Sequence, residues 1–382
     1  MFVGDQCNSK VCQYITIGAM TAKVDFGQSL EQIMESLGFD FYGFANVDPS
    51  SHMDFYVDWL DQGYHGDMWY LERANSTDRR CDLKKTMPSV QTALVVAQNY
   101  FQDDDIDHRE DDSRAIFARY ARGKDYHQII TQKLKTLHVW VNEQIGREVD
   151  AMVYVDTGPI LERELAQRAG MGWFGKNTML INPRKGSFFF LGLMLMDLDV
   201  LVDKPFLEDH CGSCTSCLDS CPTDALLGRD ENGAPIMDAR KCISYLTIEH
   251  RGSIPLELRS KMGNRVYGCD ICQEVCPWNI KFSVSTPEPA FRTGAEIDGP
   301  ALMNLAEDLT QMDDEAFRSR FGGSPIKRAQ RKGLLRNVCV AMGNWGSQEC
   351  IPVLKRVLFD PEPLVREHAA WALEQINSKN ED

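Results

Sequence analysis

Short apolar runs alternate with amphipathic stretches along the first half of the chain. Thr92–Gln98 and Ala151–Val155 are rich in β-branched and small apolar residues, and Phe188–Leu195 is almost wholly apolar. Runs of this length and composition predict short buried strands. Ser29–Leu37 and Ile129–Ile145 carry apolar residues at helical spacing and predict helices. This mixture predicts an α/β or α+β domain in which helices pack on a sheet.

The last part of the chain is predicted to be helical and contains an internal repeat. Leu335–Met342 (LRNVCVAM) matches Val365–Ala372 (VREHAAWA) at an offset of 30 residues. Each copy is predicted to form one helix, with Asp360-Pro361 at the start of the last one. The pattern is typical of HEAT-like helical pairs, whose stacked helices present extended binding surfaces.

Composition and charge change this picture in one region. The hydrophobic content of 43% and charged content of 25% are ordinary for a globular protein. The net charge of −15 argues against general nucleic-acid binding. Phe101–Ser113 is acidic and predicts a solvated loop, whereas Ile326–Asn337 contains no acid. The basic residues of that second segment are Lys327, Arg328, Arg331, Lys332 and Arg336. They suggest a phosphate contact, although an ordinary basic helix face explains them equally well.

The residues before about position 25 predict a loosely ordered N-terminal extension. An export signal has a basic region followed by an apolar region, and these residues contain no such arrangement. No apolar run reaches the roughly 18 residues of a membrane span. Many free thiols without an export signal predict a cytoplasmic protein. No dimer seam is recognisable, so we expect a monomer.

Eight of the 13 cysteines are candidate cluster ligands, and seven of them lie in two ferredoxin-type blocks. CGSCTSCLDSCP begins at Cys211, CDICQEVCP begins at Cys269, and Cys242 lies between them. In bacterial two-cluster ferredoxins the fourth Cys of such a run ligates the other cluster. One [4Fe–4S] cluster is therefore assigned to Cys211, Cys214, Cys217 and Cys276. The second is assigned to Cys221, Cys242, Cys269 and Cys272. A zinc ribbon has no CxxxCP ending, and disulfide frameworks belong to much shorter chains.

Gly170–Lys176 (GMGWFGK) matches both G-x-G-x-x-G and the start of a P-loop. Both motifs require a strand before them and a helix after them. The predicted order is reversed here, because Pro159 is expected to open a helix that Gly170 closes. We expect the glycines to allow close approach of some other flat or bulky group.

Asp156 follows the predicted strand Ala151–Val155 and precedes Thr157-Gly158-Pro159. Local sequence favours a carboxylate at a helix start or in a turn. The alternative is a functional acid at the C-terminal edge of a sheet, where α/β folds bind ligands. The segment Tyr120–His127 is either the lip of a site or a capped turn.

Three further segments accompany the cysteine blocks, and with them the chain resembles the epoxyqueuosine reductases. They are VDTGPILERELAQRAGMGWFGKNTMLINPRKGSFFFLG, CISYLTIEHRG and CDICQEVCPWN. The resemblance covers about residues 39–377. It implies a cobalamin-dependent enzyme with two [4Fe–4S] clusters that reduces epoxyqueuosine to queuosine at the wobble position of tRNA. It also implies a corrinoid-binding α/β domain (25–209), a ferredoxin-like domain (210–280) and a HEAT-like tRNA-binding domain (281–382).

Carried over to this sequence, the resemblance makes Asp156 the proton donor and so reverses the local interpretation. The family binds cobalamin without a histidine ligand, in agreement with the lack of a D-x-H-x-x-G stretch here. The residues implied to border the corrinoid are Arg80, Tyr120, Asp156, Lys176, His250, Asp270 and Ile271. We call the five basic residues of Ile326–Asn337 the basic stripe. It would hold the anticodon stem while the modified base is inserted into the pocket. A low-potential ferredoxin or flavodoxin is the implied electron donor.

Other functions stay open on the residues alone. A corrinoid reductase of a small molecule, like the reductive dehalogenases, would share the first two domains. The basic helical segment and the missing export signal argue against it. A simple electron carrier would not need so large an α/β domain, and a tRNA-binding module would not explain the cysteines.

Overall fold

The structure is a computed structural model that describes residues 24–103, 108–294 and 296–379. The predicted N-terminal extension and the centre of the predicted acidic loop lie outside these residues. Among the described helices, none is long and apolar enough to cross a membrane. The helices are α1 (Gly27–Ser36), α2 (Met53–Asp61), α3 (Ala74–Cys81), α4 (Tyr126–Ile145), α5 (Glu162–Arg168), α6 (Ser216–Asp219), α7 (Ile243–Ile248), α8 (Leu256–Arg259), α9 (Ile271–Glu274), α10 (Pro277–Phe282), α11 (Leu302–Gln311), α12 (Asp314–Phe321), α13 (Gln330–Trp345), α14 (Ile351–Val357) and α15 (Pro363–Lys379). The strands are β1 (Phe41–Asn46), β2 (Thr92–Asn99), β3 (Ile116–Phe117), β4 (Ala151–Tyr154), β5 (Trp173–Phe174), β6 (Leu180–Ile181), β7 (Phe189–Met196), β8 (Leu226–Arg229), β9 (Pro235–Met237) and β10 (Arg265–Tyr267).

A four-stranded sheet in the order β1-β2-β7-β4 forms the centre of the first domain, and all its pairings are antiparallel. Every residue of β2 is buried because helices cover both faces of the sheet. Helix α4 packs Ile130 and Leu134 on one face, and α5 packs Leu165 on the other. Gly192 of β7 permits the close approach of α4, since a Cβ there would lie 2.6 Å from Cγ2 of Ile130. The predicted layers of helices on a sheet are present.

Two local predictions in this domain are wrong. Strand β4 was expected to be buried, but it pairs only with β7 at the edge of the sheet, and Met152 is 37% exposed. A short apolar run does not distinguish an edge strand from a central one. The helix expected to open at Pro159 begins at Glu162, because the chain from Asp156 to Leu161 forms a non-helical loop.

The segment Gly170–Lys176 contains strand β5 and continues into the hairpin β5–β6. No helix follows it directly. A Cβ at Gly172 would overlap the carbonyl oxygen of Ile181, and one at Gly175 would overlap its Cδ1. These two glycines therefore allow the chain to approach its own hairpin. The expectation that they allow close approach of a flat or bulky group stays a prediction.

The cysteine-rich region consists of short helices around the hairpin β8–β9. Its last strand, β10, pairs in parallel with β3 of the first domain. Val266 and Tyr267 of β10 share a core with Leu305 and Leu334 of the helical region. The three regions therefore meet around β10.

The two predicted repeat copies lie in α13 and α15, which pack against each other. Equivalent positions are buried in both helices, namely Leu335 with Val365 and Cys339 with Ala369. The last helix begins at Pro363, slightly later than Asp360-Pro361 predicted. The repeat therefore reflects two helices that present the same face to a shared core.

Candidate functional site

Four of the predicted cluster ligands line one cavity of about 170 Å³. They are Cys211, Cys214, Cys217 and Cys276. His210 and Trp278 also line it, and Trp173 packs edge-on against both rings, with centroids 4.9 and 5.0 Å away. Within the described residues, no three His, Cys, Asp or Glu side chains converge on a single metal ion. Four thiols around a cavity suit an iron–sulfur cubane.

The other four predicted ligands are also neighbours. Cys242 interacts electrostatically with Cys221, and Cys272 interacts in the same way with Cys242 and Cys269. Burial raises the pKa of Cys269 to about 12. Such a thiol gives up its proton when it binds iron, so cluster binding and folding are coupled here.

The two thiol sets lie next to each other. Helix α6, which carries Cys217, packs against α9, which carries Cys272, and the two thiols interact electrostatically. Asn177 is buried, and its Nδ2 donates to the carbonyl oxygen of Cys272 at 3.3 Å. The segment after β5 therefore contacts the backbone of the second thiol set.

Lys176 lies beside the first thiol set, which is the one that contains Cys211 and Cys214. Its Nζ donates to the carbonyl oxygens of Gly212 and Cys214 at 2.7 and 2.8 Å. The predicted corrinoid contact is therefore not supported for this residue, because its ammonium group fixes the loop that carries two cysteines.

Asp156 lies in the turn after β4 with φ at 58°, a conformation that non-glycine residues adopt rarely and often at functional sites. Its side chain is 67% exposed. Tyr126 of α4 donates its phenol hydrogen to Oδ2 of Asp156 at 2.7 Å. The N–H of Asp156 donates to Oε1 of Glu162 at 2.7 Å. The carboxylate thus bonds a side chain of α4 and does not cap α5, whose N-cap is Leu161.

Glu162 is a member of this site that the sequence did not identify. Burial and the negative charge of Asp156 raise the pKa of Glu162 to about 8. The neighbouring Arg163 donates to the carbonyl oxygen of Thr178 and is itself close to Asp156. Glu162 joins the site by accepting a hydrogen bond from the backbone N–H of Asp156. No sequence motif predicts such a bond, so the sequence did not identify Glu162.

Asp125, His127 and Lys327 form a chain of contacts that ends at Asp156. Nζ of Lys327 lies 2.7 Å from Oδ2 of Asp125, and Oδ1 of Asp125 lies 2.6 Å from Nδ1 of His127. Nε2 of His127 lies 3.8 Å from Oδ2 of Asp156. Tyr120–His127 is therefore both a helix cap, through Asp125, and one wall of the site.

Three predicted corrinoid neighbours lie along the boundary between the sheet domain and the cysteine-rich region. The ring of Tyr120 packs between Tyr126 and Tyr267, with centroids 6.3 and 6.2 Å away. Oδ2 of Asp270 accepts from the N–H of Arg119 at 2.7 Å, and burial raises the pKa of Asp270 to about 6. Ile271 begins α9. We call this boundary the seam, defined by Tyr120, Asp270 and Ile271.

Arg80 lies with its guanidinium group 5.5 Å from the ring centroid of Tyr56. Its Nη1 is buried and makes no hydrogen bond to the described residues. Tyr56 interacts electrostatically with Tyr70, and Tyr70 with Asp156. A buried donor without a protein partner suggests a ligand partner, and amide or phosphate oxygens of a corrinoid fit this requirement.

His250 is engaged on both ring nitrogens. Nδ1 lies 2.7 Å from Oδ2 of Asp67, and Nε2 lies 2.9 Å from the carbonyl oxygen of Ser253. The corrinoid contact predicted for His250 is not supported, because neither nitrogen remains for a ligand. The residue instead ties the loop of Asp67 to the segment after α7.

The predicted basic stripe divides into buried and exposed members. Arg331 and Arg336 are only 5% and 1% exposed. Arg331 pairs with Asp360, and Arg336 donates to the carbonyl oxygens of Leu246, His250 and Gly252. The prediction that these two arginines contact phosphate is wrong, because they hold the interior of the helical domain together.

Lys327, Arg328 and Lys332 remain accessible, with side chains 45%, 50% and 38% exposed. Arg328 lies over the ring of Tyr70, 5.6 Å from its centroid, and pairs with Glu249. Beside Tyr70, Trp69 is 57% exposed and has Arg73 stacked 3.9 Å from its ring centroid. We call Trp69, Tyr70, Arg73 and Arg328 the aromatic–arginine patch.

The fold and these sites define a two-cluster iron–sulfur reductase with a helical-repeat domain. The chain matches the family models "Epoxyqueuosine reductase QueG, DUF1730" over residues 80–157, "4Fe-4S double cluster binding domain" over 210–279 and "HEAT repeats" over 326–382. It is 39% identical over 363 residues to the epoxyqueuosine reductase of Vibrio cholerae, covering 93% of this chain and 94% of that protein. The chain belongs to the epoxyqueuosine reductase family.

Solved structures of the family have the same fold. Epoxyqueuosine reductase with a tRNA-Tyr epoxyqueuosine-modified stem loop is 32% identical, with a TM-score of 0.80, covering 91% of this chain and 90% of that one. The Bacillus subtilis epoxyqueuosine reductase with its catalytic aspartate loop swung out of the active site is 31% identical. Its TM-score is also 0.80, with the same coverage of 91% and 90%.

Proposed function

We propose that this protein reduces epoxyqueuosine to queuosine at the wobble position of tRNA, the last step of queuosine synthesis. The observation that carries the proposal is the position of the seam. Tyr120 contacts Tyr126, which bonds Asp156, while Asp270 and Ile271 lie between two cluster ligands, Cys269 and Cys272. The seam is therefore connected to the proposed acid through Tyr126 and to the proposed cluster ligands through the chain.

The two thiol sets would hold one [4Fe–4S] cluster each, with the ligands assigned above. When bound, the clusters supply electrons one at a time at low potential. The proximity of Cys217 and Cys272 supports transfer between them. Because each oxygen removed as water requires two electrons, a low-potential donor of ferredoxin or flavodoxin type is the expected partner.

Cobalamin is the proposed cofactor of the seam. Arg80 Nη1, the ring of Tyr120 and the backbone of Asp270 and Ile271 would hold it. When bound, it supplies a strongly reducing cobalt centre to the substrate. Lys176 and His250 are not included, because their polar groups bond the protein itself.

Asp156 would supply a proton as the epoxide oxygen leaves. The overall change consumes two electrons and two protons and releases one water molecule. Asp156 is accessible to a substrate, and Tyr126 fixes its Oδ2. A base inserted over this turn would exclude water from the carboxyl group and bring the epoxide oxygen within reach of it.

Lys332 and the aromatic–arginine patch would bind the anticodon stem loop. Lys332 and Arg328 offer charge for phosphates. Trp69 with its stacked Arg73 offers a flat surface for an unpaired base. Tyr70 links this patch to the Asp156 site, because it contacts Arg328 and interacts electrostatically with Asp156.

The proposal is tested in cells that lack their own epoxyqueuosine reductase and accumulate epoxyqueuosine in tRNA. Expression of this chain should restore queuosine, as measured by mass spectrometry of digested tRNA. Asp156→Asn, expressed to the same level, should not restore it. Accumulated epoxyqueuosine in cells that produce the folded wild-type chain with its iron content would contradict the proposal.

A further inference from the structure

We propose that His127, held by Asp125, is the residue that positions Asp156 and returns a proton to it after each turnover. Three contacts in series carry the inference: Lys327 to Asp125 at 2.7 Å, Asp125 to His127 at 2.6 Å and His127 to Asp156 at 3.8 Å. The inference rests on the proposed function, because it assigns a role within the same proton transfer.

Asp125 is the buried anchor of this chain of contacts. Its side chain is 3% exposed. Burial by itself would raise the pKa of Asp125, but hydrogen bonds from His127 and Lys327 outweigh it and hold the pKa well below its usual range. An ionised carboxylate next to Nδ1 keeps the proton on that nitrogen and directs Nε2 of His127 towards the other partner.

The orientation of the imidazole is fixed from several sides. Its ring stacks on Tyr126 with centroids 4.0 Å apart. Asp125 faces it from the N-cap of α4, Tyr126 faces it from the first turn of that helix, and Asp156 faces it from the turn after β4. Lys327 lies behind Asp125, and Glu162 lies behind Asp156. The imidazole therefore lies between two carboxylates, one buried and one at the substrate face.

Each turnover leaves Asp156 as a carboxylate if it has donated a proton. The imidazolium of His127 can return one: the Nε2–H bond breaks, an O–H bond forms on Oδ2, and neutral imidazole remains. His127 is 30% exposed and regains its proton from water. The distance of 3.8 Å must shorten to about 3 Å for this transfer. Tyr126, which bonds the same Oδ2, keeps this oxygen on the His127 side.

The same contacts give Lys327 a role other than binding phosphate. Its ammonium group is the positive partner of a buried carboxylate, and it belongs to the turn before α13. Lys327→Met should therefore alter the pH dependence of the reaction more than the affinity for RNA. Lys332→Met, whose side chain pairs only loosely with Glu362 at 3.8 Å, should do the opposite.

The test is the pH dependence of steady-state turnover on epoxyqueuosine-containing stem-loop RNA by the reconstituted enzyme. His127→Gln should lower kcat about 10–100-fold without a matching rise in KM. His127→Ala should regain part of its activity with added imidazole. The matched control is His138→Gln on the same helix, because Nε2 of His138 bonds the carbonyl oxygen of Val149, away from Asp156. An unchanged pH profile in His127→Gln together with no rescue of His127→Ala would overturn the proposal.

A second measurement does not depend on turnover. Nitrogen NMR of histidine-labelled holoenzyme should show His127 with its proton on Nδ1 in the neutral form, and Asp125→Asn should change that tautomer. A wild-type enzyme that converts substrate while His127 carries its proton on Nε2 overturns this inference and leaves the proposed function intact. A wild-type enzyme with the Nδ1–H tautomer that converts nothing contradicts the proposed function instead.

Discussion

Arg331 and Asp360 form a two-pronged ion pair inside the helical domain, with Nη1–Oδ2 and Nη2–Oδ1 distances of 2.8 and 2.9 Å. The side chains are 5% and 1% exposed. Arg331 belongs to α13, and Asp360 lies just before α15. The pair therefore fixes the two repeat helices relative to each other.

Removing one partner of this pair should destabilise the helical domain. Arg331→Ala leaves the Asp360 carboxylate buried without its counter-ion, and we expect a loss of about 3–5 kcal/mol in the free energy of unfolding. The measurement is thermal or urea unfolding of the holoprotein. Lys332→Ala, one position along, should unfold almost like the wild type. Equal stability of Arg331→Ala and wild type would contradict the structural role.

Neutralising the exposed basic residues should weaken RNA binding. Arg328→Gln combined with Lys332→Gln is expected to lower the affinity for the anticodon stem loop and to flatten its salt dependence. The slope of log K against log salt should fall by about 1 for each phosphate that the variant no longer neutralises. Lys355→Gln on α14 is the control, because its exposed side chain lies outside the proposed surface. An unchanged slope in the double variant would place the RNA elsewhere.

The crossed assignment of the cysteines makes a specific prediction. Cys276 is close in sequence to Cys269 and Cys272 but lines the cavity of Cys211, Cys214 and Cys217. Cys276→Ser should therefore perturb the cluster of that first set and leave the other intact, as seen by EPR and iron analysis. Cys339→Ser, a buried cysteine of α13, should keep the full iron content. Loss of the Cys242 cluster alone in Cys276→Ser would refute the assignment.

Glu162 should make stability depend on pH. Burial and the charge of Asp156 raise its pKa to about 8, above the unfolded value of about 4.3. Between those values the native state holds a proton that the unfolded state has lost, so stability falls as the pH rises. Glu162→Gln should remove this dependence. The unfolding free energy of the variant minus that of the wild type should therefore increase between pH 5.5 and pH 8. A difference in unfolding free energy that stays constant with pH would contradict the raised pKa.

Local codes account for what the sequence predicted well. Cysteine spacing predicts two ligand sets through short turns, and the thiols of each set lie close together in the structure. The repeat in α13 and α15 was visible because the same positions are buried in each helix. Exposure is not a local property, however, and Arg331 and Arg336 have the composition of a binding face although they lie in the core.

The surroundings of Asp156 could not be predicted from the sequence next to it. Its neighbours are Tyr126 and His127 at the start of α4 and Glu162 at the start of α5. Asp156 follows the C-terminal end of β4 as expected, but the sheet is antiparallel, so the rule that places ligands at the edge of a parallel sheet does not explain its position. Pro159 did not start a helix, because the turn at Asp156 and the bond from its N–H to Glu162 keep the intervening residues in a loop.

The measurement that tests the central claim most directly is a nucleoside assay by mass spectrometry. The protein is reconstituted without oxygen with iron, sulfide and cobalamin, and is given a low-potential reductant and RNA that contains epoxyqueuosine. We predict the loss of one oxygen mass, dependent on added cobalamin and reduced about 100-fold or more in Asp156→Asn with both clusters intact. No conversion by wild-type protein that holds both clusters and cobalamin, or full conversion by Asp156→Asn, would contradict it.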